Sequence, residues 1–291
     1  MHCLKLGSRI GLTLRAPLVV LMLGGAASAT LTVAANAQQP IVVASTEKPS
    51  ADNLNAIFKN QACIPTKALT QFDAPLTRTA KRLNDHEPVT IVAIGSSSTG
   101  GAGASSPRFA YPSRLERELR QRYPDSPVTV INRGVNGEDA ADMMARLDEV
   151  LAPKPDLVIW QLGTNTVLRG GSIPATSDVL QSGIARIKAT GADVLLIDPQ
   201  FAPSVNAKPA VNDMVGMIGL VGKQAHVPVF RRYVAMQHWH DDQSIPFDRF
   251  IIADGLHMND WGYSCLARLL ADDIATVATR SRTVAGIKAQ Q

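Results

Sequence analysis

Apolar residues along this chain fall into short, nearly continuous runs, separated by longer stretches in which they recur every three or four positions. Val89–Ile94, Val128–Ile131, Leu157–Leu162, Val194–Ile197 and Val227–Phe230 are runs dominated by Val, Ile and Leu. Such runs predict strands buried on both faces, because a strand with one wet face alternates apolar with polar residues. Between them, Leu115 and Leu119, then Met143, Met144, Leu147, Val150 and Leu151, keep helical spacing, and a further helix is expected from about Ser177 to Thr190. Strands alternating with amphipathic helices predict an α/β fold, a three-layer α/β/α sandwich around a central parallel sheet of about five strands. The rhythm breaks between Phe201 and Pro209.

The N-terminus follows a different pattern. Lys5, Arg9 and Arg15 precede or open an apolar run from Ala16 to Ala35 that ends in Ala35-Asn36-Ala37. Basic residues, an apolar segment and a small-x-small ending together predict a signal peptide, residues 1–37, cleaved after Ala37. The alternative is a membrane anchor, against which Gly24, Gly25, Ser28 and Thr30 dilute the run. Cleavage implies a periplasmic or secreted protein with no stable membrane anchor. Residues 38–86 read as an extension, polar and mobile at first, then forming short helices with turns at Pro65 and Pro75. The alternating region occupies 87–280, and 281–291 form a tail.

Loss of Lys5, Arg9 and Arg15 leaves 26 of the 29 Lys and Arg against 25 Asp and Glu. A near-neutral chain without a basic stripe gives no electrostatic support for nucleic-acid binding. Cys3 departs with the leader, leaving Cys63 and Cys265 in an oxidising compartment, where they are expected to pair. Two buried free thiols are the alternative. Pairing would tie the extension to the last helix. The oligomeric state is left open.

In parallel sheets functional groups gather at the carboxyl ends of the strands. Gly95 to Ser98 follow the first strand, Arg133 to Gly137 the second, and Gly163-Thr164-Asn165 the third, so these polar turns should share one edge. Far downstream stands Asp254-Gly255-Leu256-His257, an acid and a base three residues apart. The glycine turn is not a phosphate loop, because Gly101 and Ala102 stand where Lys and Ser/Thr are required. It is not a dinucleotide fingerprint, since Asn132-Arg133-Gly134 replaces the acid at the end of the second strand. Nor is it the Gly-x-Ser-x-Gly elbow, where Thr99 occupies the second glycine position.

Four blocks in order resemble the SGNH (GDSL-type) hydrolase family. Gly95-Ser96-Ser97-Ser98-Thr99-Gly100-Gly101 matches its Gly-Asp-Ser block, with Ser97 as nucleophile. Asn132-Arg133-Gly134-Val135-Asn136-Gly137-Glu138 matches the second block through Gly137, Gly163-Thr164-Asn165 the third, and Asp254-x-x-His257 the last. The resemblance implies an SGNH-hydrolase, flavodoxin-like sandwich over 87–280. Ser97 would attack, His257 would take its proton, and Asp254 would fix the tautomer of His257. Ser97, Gly137 and Asn165 would supply oxyanion donors. The mechanism requires no metal and no cofactor.

Taken singly these residues have plainer readings. Asn165 and Gly137 could be turn residues, Asp254 could cap the following helix, and His257 could lie on the surface. The block departs from the family at Ser96, where the family has an aspartate that organises the turn; an altered turn geometry is the expectation, and three successive serines compete for the nucleophile's role, with Ser97 favoured by its position relative to Gly95 and Gly100. His238-Trp239-His240-Asp241-Asp242 lacks an evident third metal ligand and reads as a solvated loop. Gln200, Arg231 and Trp239 follow the fourth and fifth strands and are candidate pocket residues, although Arg231 and Arg232 could simply face solvent. Trp160 reads as core.

The expectation is a serine esterase acting through an acyl-enzyme on a small-molecule or glycan ester, with acetyl groups on carbohydrate preferred. The alternatives are a lipase or acyltransferase of the same family, or a noncatalytic envelope or polysaccharide-binding module on the same fold.

Overall fold

A computed structural model describes Cys63 and residues 72–288, all within one compact unit. The expected signal peptide and most of the expected extension lie outside the described residues. Five parallel strands form the sheet: β1 (Val89–Gly95), β2 (Val128–Gly134), β3 (Leu157–Gln161), β4 (Asp193–Ile197) and β5 (Val229–Phe230), in the order β2-β1-β3-β4-β5. β1 and β3 are fully buried along almost their whole length, as their nearly continuous apolar runs require. β2, at the edge, is largely half-buried or exposed and runs three residues beyond the apolar stretch, carrying Asn132, Arg133 and Gly134 into the ladder.

The helices are α1 (Thr77–Asn84), α2 (Ser97–Gly100), α3 (Tyr111–Arg122), α4 (Ala140–Ala145), α5 (Leu147–Leu151), α6 (Thr164–Arg169), α7 (Ile173–Ala189), α8 (Pro203–Asn206), α9 (Val211–Ala225), α10 (Arg232–Asp241) and α11 (Asp260–Lys288). In α7, Leu180, Ile184 and Ile187 are buried at helical spacing, and Gly183 lets the helix close on the Trp160 ring. Trp160 is fully buried, as core.

Two expected boundaries shift. α1 and the residue before it place Leu76, Ala80 and Leu83 in the same core as the sheet, so structure expected to precede the domain is packed into it. Polar bonds fix that docking: Thr79 donates its N–H and hydroxyl to Asp193 (2.7 and 2.8 Å), and Arg78 donates to Asp156 at 2.7 Å. The last helix continues to Lys288, past residue 281 where the tail was expected. Cys63 and Cys265 form a disulfide with Cα atoms 5.6 Å apart, a separation typical of the bond, so the expected pairing is present. Among the described residues no helix is long and apolar enough to cross a membrane.

The order β2-β1-β3 reverses the winding direction at β1. The cleft at such a switch point opens at the carboxyl ends of β1 and β3, where the turns containing Ser97 and Asn165 begin.

Candidate active site

β1 delivers the chain to Gly95, and Ser97 is the first residue of α2. Ser96 and Thr99 are buried, and both face Gln161 at the end of β3. Gln161 Oε1 accepts from the Ser96 N–H at 3.1 Å, the Ser96 hydroxyl at 3.2 Å and the Thr99 hydroxyl at 3.2 Å. Where the resemblance places an aspartate to organise the turn, a glutamine on the neighbouring strand supplies the acceptor. The Thr99 hydroxyl also lies 3.3 Å from that of Tyr111, whose pKa burial pushes up to about 12, so the phenol stays protonated. The turn packs on β2 by close backbone approach: a Cβ on Gly134 would lie 2.1 Å from the Gly100 nitrogen. Asn132 donates to the Thr99 carbonyl at 2.8 Å.

The loop between Ile251 and Met258 carries the acid and the base. Its ends pair in an antiparallel bridge, and Ile252 donates to the His257 carbonyl at 2.9 Å. Asp254 does not cap α11. One of its oxygens accepts from the N–H groups of Leu256 (2.8 Å) and His257 (2.9 Å), and the other lies 2.6 Å from His257 Nδ1. α11 is capped instead by Asn259, which accepts from Gly262. His257 Nε2 lies 2.9 Å from Ser97 Oγ, so both ring nitrogens are engaged and the hydroxyl meets a base oriented by a carboxylate. Burial alone would raise the Asp254 carboxyl, but the hydrogen bonds from His257 and the Leu256 N–H outweigh it and hold the group below the usual range. Asp254 therefore stays ionised wherever His257 has to act as a base.

The loop between β2 and α4 holds Gly137, and Asn165 reaches it from α6. Gly137 has φ +82, a left-handed conformation that costs glycine little, and its carbonyl accepts from Arg169 at 2.6 Å. Asn165, near the start of α6, donates from Nδ2 to the Glu138 carbonyl at 2.7 Å, leaving its second amide hydrogen for another acceptor. Arg146 grips both oxygens of Glu138 and donates to the Arg133 carbonyl at 2.9 Å, which braces the loop.

The other candidates are arranged differently from the sequence reading. Trp239 is buried against Phe250 and Trp261 and has no surface to offer a ligand. Arg231 pairs with Asp73 at 3.1 Å. Gln200 is buried, with its oxygen accepting from Thr164 and Arg232. Arg232, rather than facing solvent, is fully buried beside Asp198. Burial lowers its pKa to about 10 and raises that of Asp198 to about 7, while attraction between the two opposes both shifts. The stretch 238–242 is not a loop: residues 238–241 are the last turn of α10. His238 faces Asp242 at 2.6 Å, while His240 stacks on Phe247 at 4.0 Å. Two supports went unread in the sequence. Gln161 is the one polar residue inside the otherwise apolar run Leu157–Leu162, which was its only signal. The break at 201–209 contains α8, whose Ser204 donates its N–H to the Gly255 carbonyl at 2.9 Å and so seats the Asp254 loop.

A sequence model of the Non-GDSL lipase-like family matches residues 62–280. The chain is 30% identical over 144 residues to Esterase TesA of Pseudomonas aeruginosa, covering 48% of this chain and 70% of that one. It is 25% identical over 176 residues to an acetylxylan esterase of Geobacillus stearothermophilus, covering 56% and 80%. Among solved structures, a two-domain esterase active on acetylated mannans superposes with a TM-score of 0.63 at 21% identity, over 75% of this chain and 58% of that one, a likeness of fold.

Proposed function

This chain belongs to the Non-GDSL lipase-like family of SGNH-type hydrolases, and from that premise we propose that it removes short acyl groups, acetyl foremost, from carbohydrate through an acyl-enzyme on Ser97. It is a carboxylic ester hydrolase. The observation that carries the mechanism is the continuous chain from Asp254 through His257 to Ser97, at 2.6 and 2.9 Å. Ser97 Oγ attacks the ester carbonyl as its proton passes to His257 Nε2. The oxyanion is held by the N–H groups of Ser97 and Gly137 and the free amide hydrogen of Asn165, each such donor contributing roughly 3–4 kcal/mol in the transition state. Collapse breaks the bond to the sugar oxygen, which leaves with the proton from His257. Water, activated by the same imidazole, then releases the acid and restores Ser97.

The acetyl and carbohydrate preference is supported by the acetylxylan esterase relative and the fold neighbour active on acetylated mannans. A cleft of about 400 Å³ lined by Pro203, Phe247, Ile251, Ile252 and Gly255 flanks the Asp254 loop. Ser97, His257, Gly137 and Asn165 do not line this cleft, so it adjoins the reaction centre without enclosing it. The periplasmic or secreted location is supported by the Cys63–Cys265 disulfide, a bond favoured by oxidising compartments.

Labelling with a fluorophosphonate probe and peptide mapping tests the nucleophile: modification at Ser97 that is lost in His257→Ala is expected. Absence of labelling on folded protein would favour the noncatalytic module. Rates on p-nitrophenyl acetate, butyrate and octanoate test acyl length, and an octanoate optimum would refute the short-acyl assignment.

A further inference from the structure

Behind the acid-base loop, the carboxyl end of β4 leads into a buried polar cluster that the mechanism above does not use. Gln200 is 1% exposed and Arg232 is 0% exposed. Arg232 donates from Nε to the Asp198 carbonyl and from Nη2 to Gln200 Oε1, both at 2.9 Å. A guanidinium can only donate, so the Gln200 atom facing it must be oxygen. That oxygen also accepts from the Thr164 hydroxyl at 2.8 Å, and Thr164 precedes Asn165. The amide nitrogen of Gln200 is thereby turned toward the Leu256 carbonyl, to which it donates at 3.4 Å. This carbonyl belongs to the peptide bond that enters His257.

We propose that Gln200 is a positioning residue for the esterase reaction, coupling the peptide that carries the His257 base to the helix start that carries the Asn165 oxyanion donor, with Arg232 locking its amide orientation. The inference rests on the triad reading given above. Gln200 touches neither Ser97 nor the imidazole in this arrangement; it acts through the backbone on either side of the reaction centre. Its loss should therefore lower turnover and leave substrate binding largely intact.

Gln200→Glu is the discriminating variant. A carboxylate still accepts from Arg232 and Thr164, so the buried cluster keeps its partners, but it presents no donor to Leu256. The expected result is a folded protein whose melting temperature is lowered where a carboxylate oxygen faces the Leu256 carbonyl oxygen, with kcat reduced roughly ten- to a hundredfold and KM changed less than about twofold. The rate of fluorophosphonate labelling should fall in parallel, because it reports the same Ser97–His257 geometry without a leaving sugar. A role confined to packing predicts that Gln200→Glu keeps parental kcat and labelling rate, and that result overturns the proposal. If Gln200→Glu does not fold, Thr164→Val carries the test. It removes one bond to the Gln200 oxygen at nearly constant volume, and a fall in kcat without a change in KM supports coupling, whereas parental kcat overturns it. A parent protein that neither hydrolyses p-nitrophenyl acetate nor reacts with the probe overturns the esterase reading, and the positioning role with it. An active parent matched by Gln200→Glu overturns the positioning role alone.

Discussion

Replacing Gly134 with alanine inserts one methyl group between the edge strand and the nucleophile turn. Gly134 has no positive φ, so alanine meets no conformational objection there, and the whole effect comes from contact. The new Cβ would lie 2.1 Å from the Gly100 nitrogen, 2.5 Å from the Thr99 carbonyl carbon and 2.7 Å from the Gly100 Cα. All three are backbone atoms and cannot rotate away. Ordinary contact begins near 3.4 Å, so β2 and α2 must part by roughly 1.3 Å at this point. Overpacking of this kind costs about 2–3 kcal/mol, equivalent to a fall in Tm of roughly 4–12 °C for a chain of this size. Because Ser97 opens the same short helix, a displacement of about 1 Å should also lower kcat by on the order of a hundredfold. Gly216→Ala is the control: Gly216 is exposed in α9 with nothing within 4 Å of its Cβ, and alanine there should stabilise by about 0.5–1 kcal/mol. Calorimetry and p-nitrophenyl acetate turnover on both variants decide the matter. A Gly134→Ala protein with parental Tm and parental kcat would refute the claim that this glycine spaces the nucleophile turn from β2.

Three further outcomes are expected. Asp254→Asn should keep the turn, since an amide oxygen can accept from Leu256 and His257, yet lower kcat roughly a hundred- to ten-thousandfold by favouring the wrong tautomer of His257; near-parental turnover would exclude Asp254 from the relay. Asp273, with both oxygens buried and unpartnered, is raised by burial to about 8, so between pH 4 and 8 the unfolded chain is ionised there while the folded chain holds the proton. That group lowers stability by up to about 1.4 kcal/mol per pH unit as pH rises through this window. Asp273→Asn lacks the slope, so its stability relative to the parent in urea titrations should improve from pH 5 to pH 8, and a difference constant with pH would refute the assignment. Removing the Cys63–Cys265 bridge by the double serine substitution releases a separation of 202 residues and should cost roughly 3–5 kcal/mol, read as a drop in Tm. An unchanged Tm would mean the bridge adds no net constraint.

What the chain alone determined is local. Apolar runs rich in Val, Ile and Leu identified all five strands, most plainly β1 and β3, where near-complete burial removes the need for alternation, and the polar turns after β1, β2 and β3 located the functional edge. The three-residue spacing of Asp254 and His257 was legible because a single tight loop suffices to join them. The tertiary structure decided everything that depends on contacts between distant segments. It brought Ser97 to His257 across 160 positions, and it set Gln161 against Ser96, which stands where the resemblance leads one to expect an aspartate. It also reassigned the residues beyond β4 and β5: Trp239 went into an aromatic cluster, Arg232 into a buried polar one, and residues 238–241 into the end of α10. Charged and aromatic residues after a strand carry no periodic signal of their own burial. Whether they face a ligand or the core is settled by which partners, such as Asp198 and Gln200 for Arg232, the rest of the fold sets beside them.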